Sequence, residues 1–174
     1  DRLVRQIHAN SSGDSLRATG AAASNLDLYQ VNCTFFDALA RDELHYLLSR
    51  AIQFFLPGIP QVYYVGLLAG SNDMALLARS GVGRDINRHH YTRSEIEEAL
   101  TRPVVAELLA LIRLRNTHPA FQGAFELLPS DADSLHMRWH NAGAESRLHV
   151  NLATGKHVLT ASPAGELPGF RILN

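Results

Sequence analysis

Apolar residues recur along this chain in two rhythms. From Phe36 to Phe55 they fall at Leu39, Leu44, Leu47, Leu48, Ala51, Ile52 and Phe55. Spacings of three and four place them on one face of a helix, and "LPG" at 56–58 stops it. The run "IPQVYYVG" that follows is apolar, rich in β-branched and aromatic residues, and bounded by Pro60 and Gly66. It predicts a fully buried strand of the kind found in parallel sheets. Thr92 followed by Glu95 is a capping-box pair, so a helix starts there. Pro103 suits a first helical position. Val104, Val105, Leu108, Leu109, Leu111 and Ile112 behind it are dense enough for burial on most sides, and Arg113 and Arg115 fall in the last turn, where cations favour the dipole. After Pro119 the period shortens to two. "SLHMRWH" alternates Leu135, Met137 and Trp139 with His136, Arg138 and His140. "SRLHVNL" alternates Leu148, Val150 and Leu152 with Arg147, His149 and Asn151, and "NAG" between the two marks a turn. "GAFELLP" and "KHVLTAS" supply two more candidate strands. Residues 120–174 therefore read as a small antiparallel sheet with one wet face.

Two stretches carry no clear period. Residues 1–35 contain the turn formers Asn10–Ser15, then a run of small residues, "GAAAS", followed at once by polar tips. Residues 66–92 read as a second long loop, interrupted by a helical turn at "DMALLAR". Loops this long in a compact domain are usually functional or disordered. The order of loop, helix, buried strand, loop, helix, helix and antiparallel module has the rhythm of the last turn of a β/α barrel.

Composition removes several classes of function. The 174 residues hold 16 basic and 17 acidic side chains, a net charge of −1, which argues against a dedicated nucleic-acid binder. The longest apolar run is interrupted by Gln53, Pro57, Pro60 and Gln61, so it predicts a buried core segment and not a membrane span. Cys33 is the single cysteine. It excludes an internal disulfide and a cysteine-based metal site, and it fits a reducing compartment, with a cytoplasmic location expected. The opening "DRLVRQIHAN", from Asp1 on, has no start Met and no signal-peptide pattern, and it looks like the interior of a longer chain.

The densest polar cluster is "GVGRDINRHHY", Gly81–Tyr91. It follows the expected strand, and in a β/α barrel such loops build the active site. Arg84 or Arg88 could grip sugar hydroxyls, phosphate or a carboxylate with a guanidinium fork. The loop could equally be solvated, with local Arg–Asp pairing. His136, His140 and His149 make only a weak three-ligand case, and no carboxylate completes it. No nucleophile elbow, zinc helix motif or phosphate-binding Gly-Lys loop is present. For Asn25, Leu26, Asp27, Tyr29 and Gln30 the residues alone leave open a self-capped loop or a ligand-facing one.

The strings "ATGAAASNLDLYQVN", "QFFLPGIPQVYYVGLLAGSNDM", "GRDINRHHY" and "RPVV" together resemble the sucrose phosphorylases of the α-amylase superfamily (glycoside hydrolase family 13). The likeness covers nearly all of residues 7–122. It implies the C-terminal part of a (β/α)8 barrel with an inserted subdomain, followed by a small antiparallel β domain. Residues 1–40 would be part of the insert after barrel strand seven, 41–119 the last part of the barrel, and 120–174 the β domain. The implied reaction is retaining phosphorolysis of sucrose to α-glucose 1-phosphate and fructose, without a cofactor or metal, by an aspartate nucleophile, a glutamate acid/base and a third, stabilising carboxylate. In the family all three precede the segment matched here. They are expected upstream of Asp1, so this chain alone is expected to be inactive. The resemblance makes Arg84 a ligand of the glucosyl hydroxyls. It makes Leu26, Asp27, Tyr29 and Gln30 parts of a loop that turns either Leu26 and Asp27 toward fructose or Tyr29 toward phosphate, with the small residues at 20–24 as its hinge. A carboxylate beside an incoming phosphate would cost several kcal/mol, roughly, at contact distance and an effective dielectric near 20. Tyr29 with Gln30 favours plain sucrose. A related phosphorylase for sucrose 6-phosphate or glucosylglycerate is the second expectation. A non-catalytic segment that associates with itself through the unpaired strand edges is the third.

Overall fold

The computed structural model describes residues 2–22 and 31–163. Among them the chain forms eight α-helices: α1 Arg2–Asn10, α2 Asp14–Ala22, α3 Phe35–Ala38, α4 Glu43–Phe55, α5 Tyr64–Leu67, α6 Met74–Ser80, α7 Arg93–Leu100 and α8 Pro103–Thr117. Short 3₁₀ helices cover Gly83–Asn87 and Pro119–Gln122, and the strands are β1 Ala124–Leu127, β2 Ser134–Asn141, β3 Ala144–Asn151 and β4 His157–Ser162. The chain divides into two compact units. One holds the residues up to Tyr46 together with Val62–Arg102, and the other holds Leu47–Gln61 and the residues from Pro103 on. No helix of the described residues is long and apolar enough to cross a membrane.

In the second unit the four strands run antiparallel in the order β1-β2-β3-β4. Met137 pairs with Leu148 and Trp139 with Ser146, while His136 pairs with His149 and Arg138 with Arg147. Strand periodicity thus sends Met137, Trp139, Leu148 and Val150 inward, where all four are buried. The β2–β3 turn uses Ala142 and Gly143, both at positive φ (45° and 87°). A two-residue hairpin turn of this hand requires that conformation, which is why glycine serves there. The core is aromatic. Phe55 meets Phe121 edge-on with ring centroids 5.3 Å apart, and Trp139 lies 5.7 Å from Phe121 and 5.4 Å from Phe125. The indole N–H donates to the Phe55 carbonyl at 2.7 Å, so its one polar atom is satisfied. Arg115 stacks over Phe121 and Trp139, 4.8 and 5.0 Å from their ring centroids, and donates to the Gly58 carbonyl.

The first unit is helical. Tyr46 is fully buried, packs against the rings of Phe35 and Phe36, and donates its hydroxyl to the Gly66 carbonyl. Asp37, buried, is a hub. Its Oδ2 accepts from the Thr34 hydroxyl and from the Asn72 backbone N–H, both at 2.8 Å, and its Oδ1 accepts from Arg41 Nε at 2.8 Å. Asn72 returns the bond by accepting the Thr34 N–H at 2.8 Å. These donors offset the cost of burying a carboxylate.

Three expectations are corrected. The strand expected in "IPQVYYVG" does not form: Tyr64–Leu67 is helical, and Ile59, Tyr63 and Tyr64 are exposed. A strand exists through its neighbours' hydrogen bonds, and no described residue supplies a parallel partner. Residues 2–22 form two helices where a loop was expected. Of the residues 20–24 expected as a hinge, Gly20, Ala21 and Ala22 extend α2, since alanine is the best helix former, and the other two lie outside the described residues. The single helix expected from Phe36 to Phe55 is broken into α3 and α4 by Ala40 and Arg41, at φ 56° and 58°.

Candidate functional site

The segment 83–91 is held from both sides. Ile86 is fully buried with Ala18 of α2 and Leu77 of α6, and Met74 packs against that cluster. The Ile86 carbonyl accepts the Asp73 N–H at 2.8 Å. These contacts fix the 3₁₀ helix and leave Arg84 exposed on its outer side. Arg84 lines a cleft of about 330 Å³ with Val31, Asn32, Cys33, Tyr63, Asn87 and Arg88. Arg88 is paired loosely with Asp85, N to O 3.4 Å. Arg84 forms no ion pair among the described residues, and its guanidinium carries five N–H donors at the cleft. The cleft thus offers a guanidinium fork, a second arginine, an amide and a phenol, a donor-rich set suited to hydroxyls or an anion. Arg88 makes the local Asp pair, and Arg84 lines the cleft.

Asp1, before which the family's three catalytic carboxylates are expected, lies outside the described residues. So do the expected acceptor-side residues Leu26, Asp27, Tyr29 and Gln30. Val31, the first described residue after them, lines the wall of the cleft. Asn32 is buried and anchors that wall to α2: its N–H donates to the Thr19 hydroxyl at 3.2 Å and its side-chain amide to the Ala18 carbonyl at 3.3 Å. Cys33 follows it. Burial pushes the Cys33 thiol up to about 11, and the nearby Asp37 charge adds to this, against the opposing hydrogen bond from Asn72.

His89 belongs to the polar cluster read from sequence but was given no role there, yet it bonds two carboxylates at once. Its Nδ1 lies 2.7 Å from Asp73 Oδ2 and its Nε2 3.1 Å from Glu95 Oε1. The bond to Asp73 leads in holding its pKa above the usual histidine value; burial opposes this, and Glu95 adds to it. The visible signals were Asp73 directly before "MALLAR", an N-cap, and Glu95 of the capping box. Both caps have an oxygen to spare for an imidazole between them. On the sheet, His140 bonds Glu126 at 3.0 Å and the His136 and His149 rings stand 4.6 Å apart. Among the described residues no group of three potential metal ligands converges.

No family model matches the chain. Individual relatives do. The chain is 59% identical over 162 residues to a sucrose phosphorylase from Agrobacterium vitis, covering 93% of this chain and 33% of that one. It is 51% identical to a sucrose phosphorylase from Bifidobacterium adolescentis, covering 96% of this chain and 33% of that one. A crystal structure of sucrose 6F-phosphate phosphorylase from Thermoanaerobacter thermosaccharolyticum superposes with a TM-score of 0.74 at 46% identity, over 76% of this chain and 27% of that one. The chain therefore spans about a third of the length of the curated relatives it matches. With its helices and following antiparallel sheet, it is a homologue of the C-terminal part of the sucrose phosphorylases and their disaccharide-phosphorylase relatives.

Proposed function

We propose that these residues serve as the C-terminal part of a retaining sucrose phosphorylase, with Arg84 as a ligand of the glucosyl hydroxyls. The observation that carries the reading is the cleft: an arginine with no described ion-pair partner, beside Arg88, Asn87 and Tyr63. A planar fork matches two adjacent hydroxyls in one bidentate contact. Leu26, Asp27, Tyr29 and Gln30 would present the acceptor side, fructose or phosphate. On this reading turnover belongs to a chain that also supplies the family's nucleophile, acid/base and stabiliser. On the same reading residues 1–40 are part of the inserted subdomain, 41–119 the last part of the barrel and 120–174 the β domain. The enzyme is then cytoplasmic, with sucrose and inorganic phosphate as its small-molecule partners.

The test is phosphate-dependent fructose release from sucrose by the longest natural chain containing this segment, beside its Arg84→Ala copy. Two lost charge-assisted hydrogen bonds predict a fall in kcat/KM on the order of a hundredfold or more. No release from sucrose, with turnover of sucrose 6-phosphate, glucosylglycerate or glucosylglycerol, would move the substrate and keep the role of Arg84. Relatives bearing the names sucrose 6(F)-phosphate phosphorylase and glucosylglycerol phosphorylase, 43% and 46% identical, make that the second reading. Self-association of the chain is the third, favoured by the exposure of Tyr63 and Tyr64 in the unpaired segment. Sedimentation at two concentrations decides it, and a constant monomer mass removes it.

A further inference from the structure

We propose that His89 is a positioning residue: its imidazolium donates from Nδ1 to Asp73 and from Nε2 to Glu95, and so staples the Arg84 segment between α6 and α7. Its bearing on catalysis rests on the reading of the Arg84 cleft given above; the staple itself does not.

Donors and acceptors fix the protonation state of the ring. Each neighbouring carboxylate already spends one oxygen on a helix start. Asp73 Oδ1 accepts the Leu76 N–H at 2.7 Å, and Glu95 Oε2 accepts the Thr92 N–H at 2.6 Å. The remaining oxygens, Asp73 Oδ2 and Glu95 Oε1, face the two nitrogens of one ring. A neutral imidazole has one N–H, so one of these contacts would set a lone pair against a carboxylate. Only the doubly protonated ring satisfies both.

The same residues tie down the arginine segment. Asp73 holds its far side through the bond from its N–H to the Ile86 carbonyl, and its near end through His89. The His89 carbonyl accepts the Tyr64 hydroxyl at 3.0 Å, and the ring meets Tyr91 edge-on at 4.5 Å. The segment from Ile86 to His89 is thus closed on a single residue, Asp73, at two points. Other titratable or charged groups around the ring are Tyr64 from α5, Arg102 beside the same cavity, and His90 and Tyr91 in the loop, with Arg88 acting on Tyr64. Asp73 and Glu95 are the two in hydrogen-bond contact with it.

The experiment is nuclear magnetic resonance on the 174-residue chain, wild type, His89→Gln and His89→Arg. The imidazole 15N shifts of His89 should show both nitrogens protonated at pH 7, with a midpoint above the free-histidine value. Glutamine has one amide that donates and an oxygen that repels a carboxylate. It should lower the exchange protection of the Asp73 and Arg88 amides about tenfold or more and leave Leu148 in the sheet unchanged. Arginine can donate to both carboxylates and should restore protection. Wild-type protection at those amides should fall on the alkaline side, while the arginine variant stays level. A neutral ring at pH 7 overturns the proposal, and so does unchanged protection in His89→Gln. Should the glutamine variant lose its fold, the wild-type ring titration still decides. None of these readouts needs turnover. A confirmed staple beside absent phosphorolysis would therefore sink the reading of the cleft and not the staple.

Discussion

At the scale of single residues, the loop from Gly81 to Tyr91 divides its charges by task. Arg88 stays with Asp85, His89 with Asp73 and Glu95, and Arg84 faces the cleft. Sequence spacing could show that such charges exist but not which would be spent locally, since that depends on where α6 and α7 begin. As a candidate, Arg84 was visible through the resemblance of its long, ordered string. His89 was not, because its partners lie 16 and 6 residues away on opposite sides. Cys33 carries a separate prediction. Its thiol, raised to about 11 chiefly by burial, is almost wholly protonated at pH 8, and the thiolate is the reactive form. Alkylation by iodoacetamide at pH 8 should therefore run far slower than that of free cysteine, a difference measurable by mass spectrometry over time. A rate equal to that of free cysteine would place the sulfur outside the environment described.

At the scale of elements, local signals did best where one short motif settles the structure. The Thr92–Glu95 pair forms both bonds of a capping box, and Pro103 opens α8. Thr92→Ala should destabilise the first unit by about 1 kcal/mol, the usual worth of such a cap; urea unfolding checks this, and Thr92→Ser should keep most of the lost stability. The hairpin at Ala142 and Gly143 was equally legible, from "NAG" between two alternating runs. The failures also have element-level causes. Helix α1 sets Leu3, Val4 and Ile7 on one face, but it is only nine residues long and buries none of them fully, so the stripe was too short to read. "IPQVYYVG" has the composition of a strand, but pairing is a property of neighbours and not of composition.

At the scale of the whole molecule, the two compact units titrate in opposite senses. In the first, the folded-state pKa of His89 is raised. Its contribution to stability is complete below the unfolded value near 6.5 and is lost as pH rises through the folded value. In the second, burial lowers His157 and, aided by His136 and Arg147, His149. The unfolded chain then binds more protons, so stability there is lost as pH falls below about 6.5 toward the lowered values. The Asp73 carboxyl is pushed up by burial, but the Leu76 N–H and His89 outweigh this, so its net lowering costs the first unit stability only below about 3.8. Hydrogen exchange at pH 5.5, 7 and 8.5 checks the pattern. Protection at Leu148 should decline toward 5.5, and protection at Asp73 should decline toward 8.5. Parallel changes at both amides would contradict it. Fold class and homology were legible at this scale because they rest on long ordered strings, whereas the division into units was not, since it joins segments far apart in the chain.

The sheet's tryptophan has an optical consequence. Trp139 is the sole indole of the chain, its N–H bound to a peptide oxygen and its ring beneath the Arg115 guanidinium. Shielded from water, it should emit at short wavelength while the sheet unit is folded and shift to the red when that unit opens. The molecule thus carries a native fluorophore that reports on one of its two units alone, with no label added.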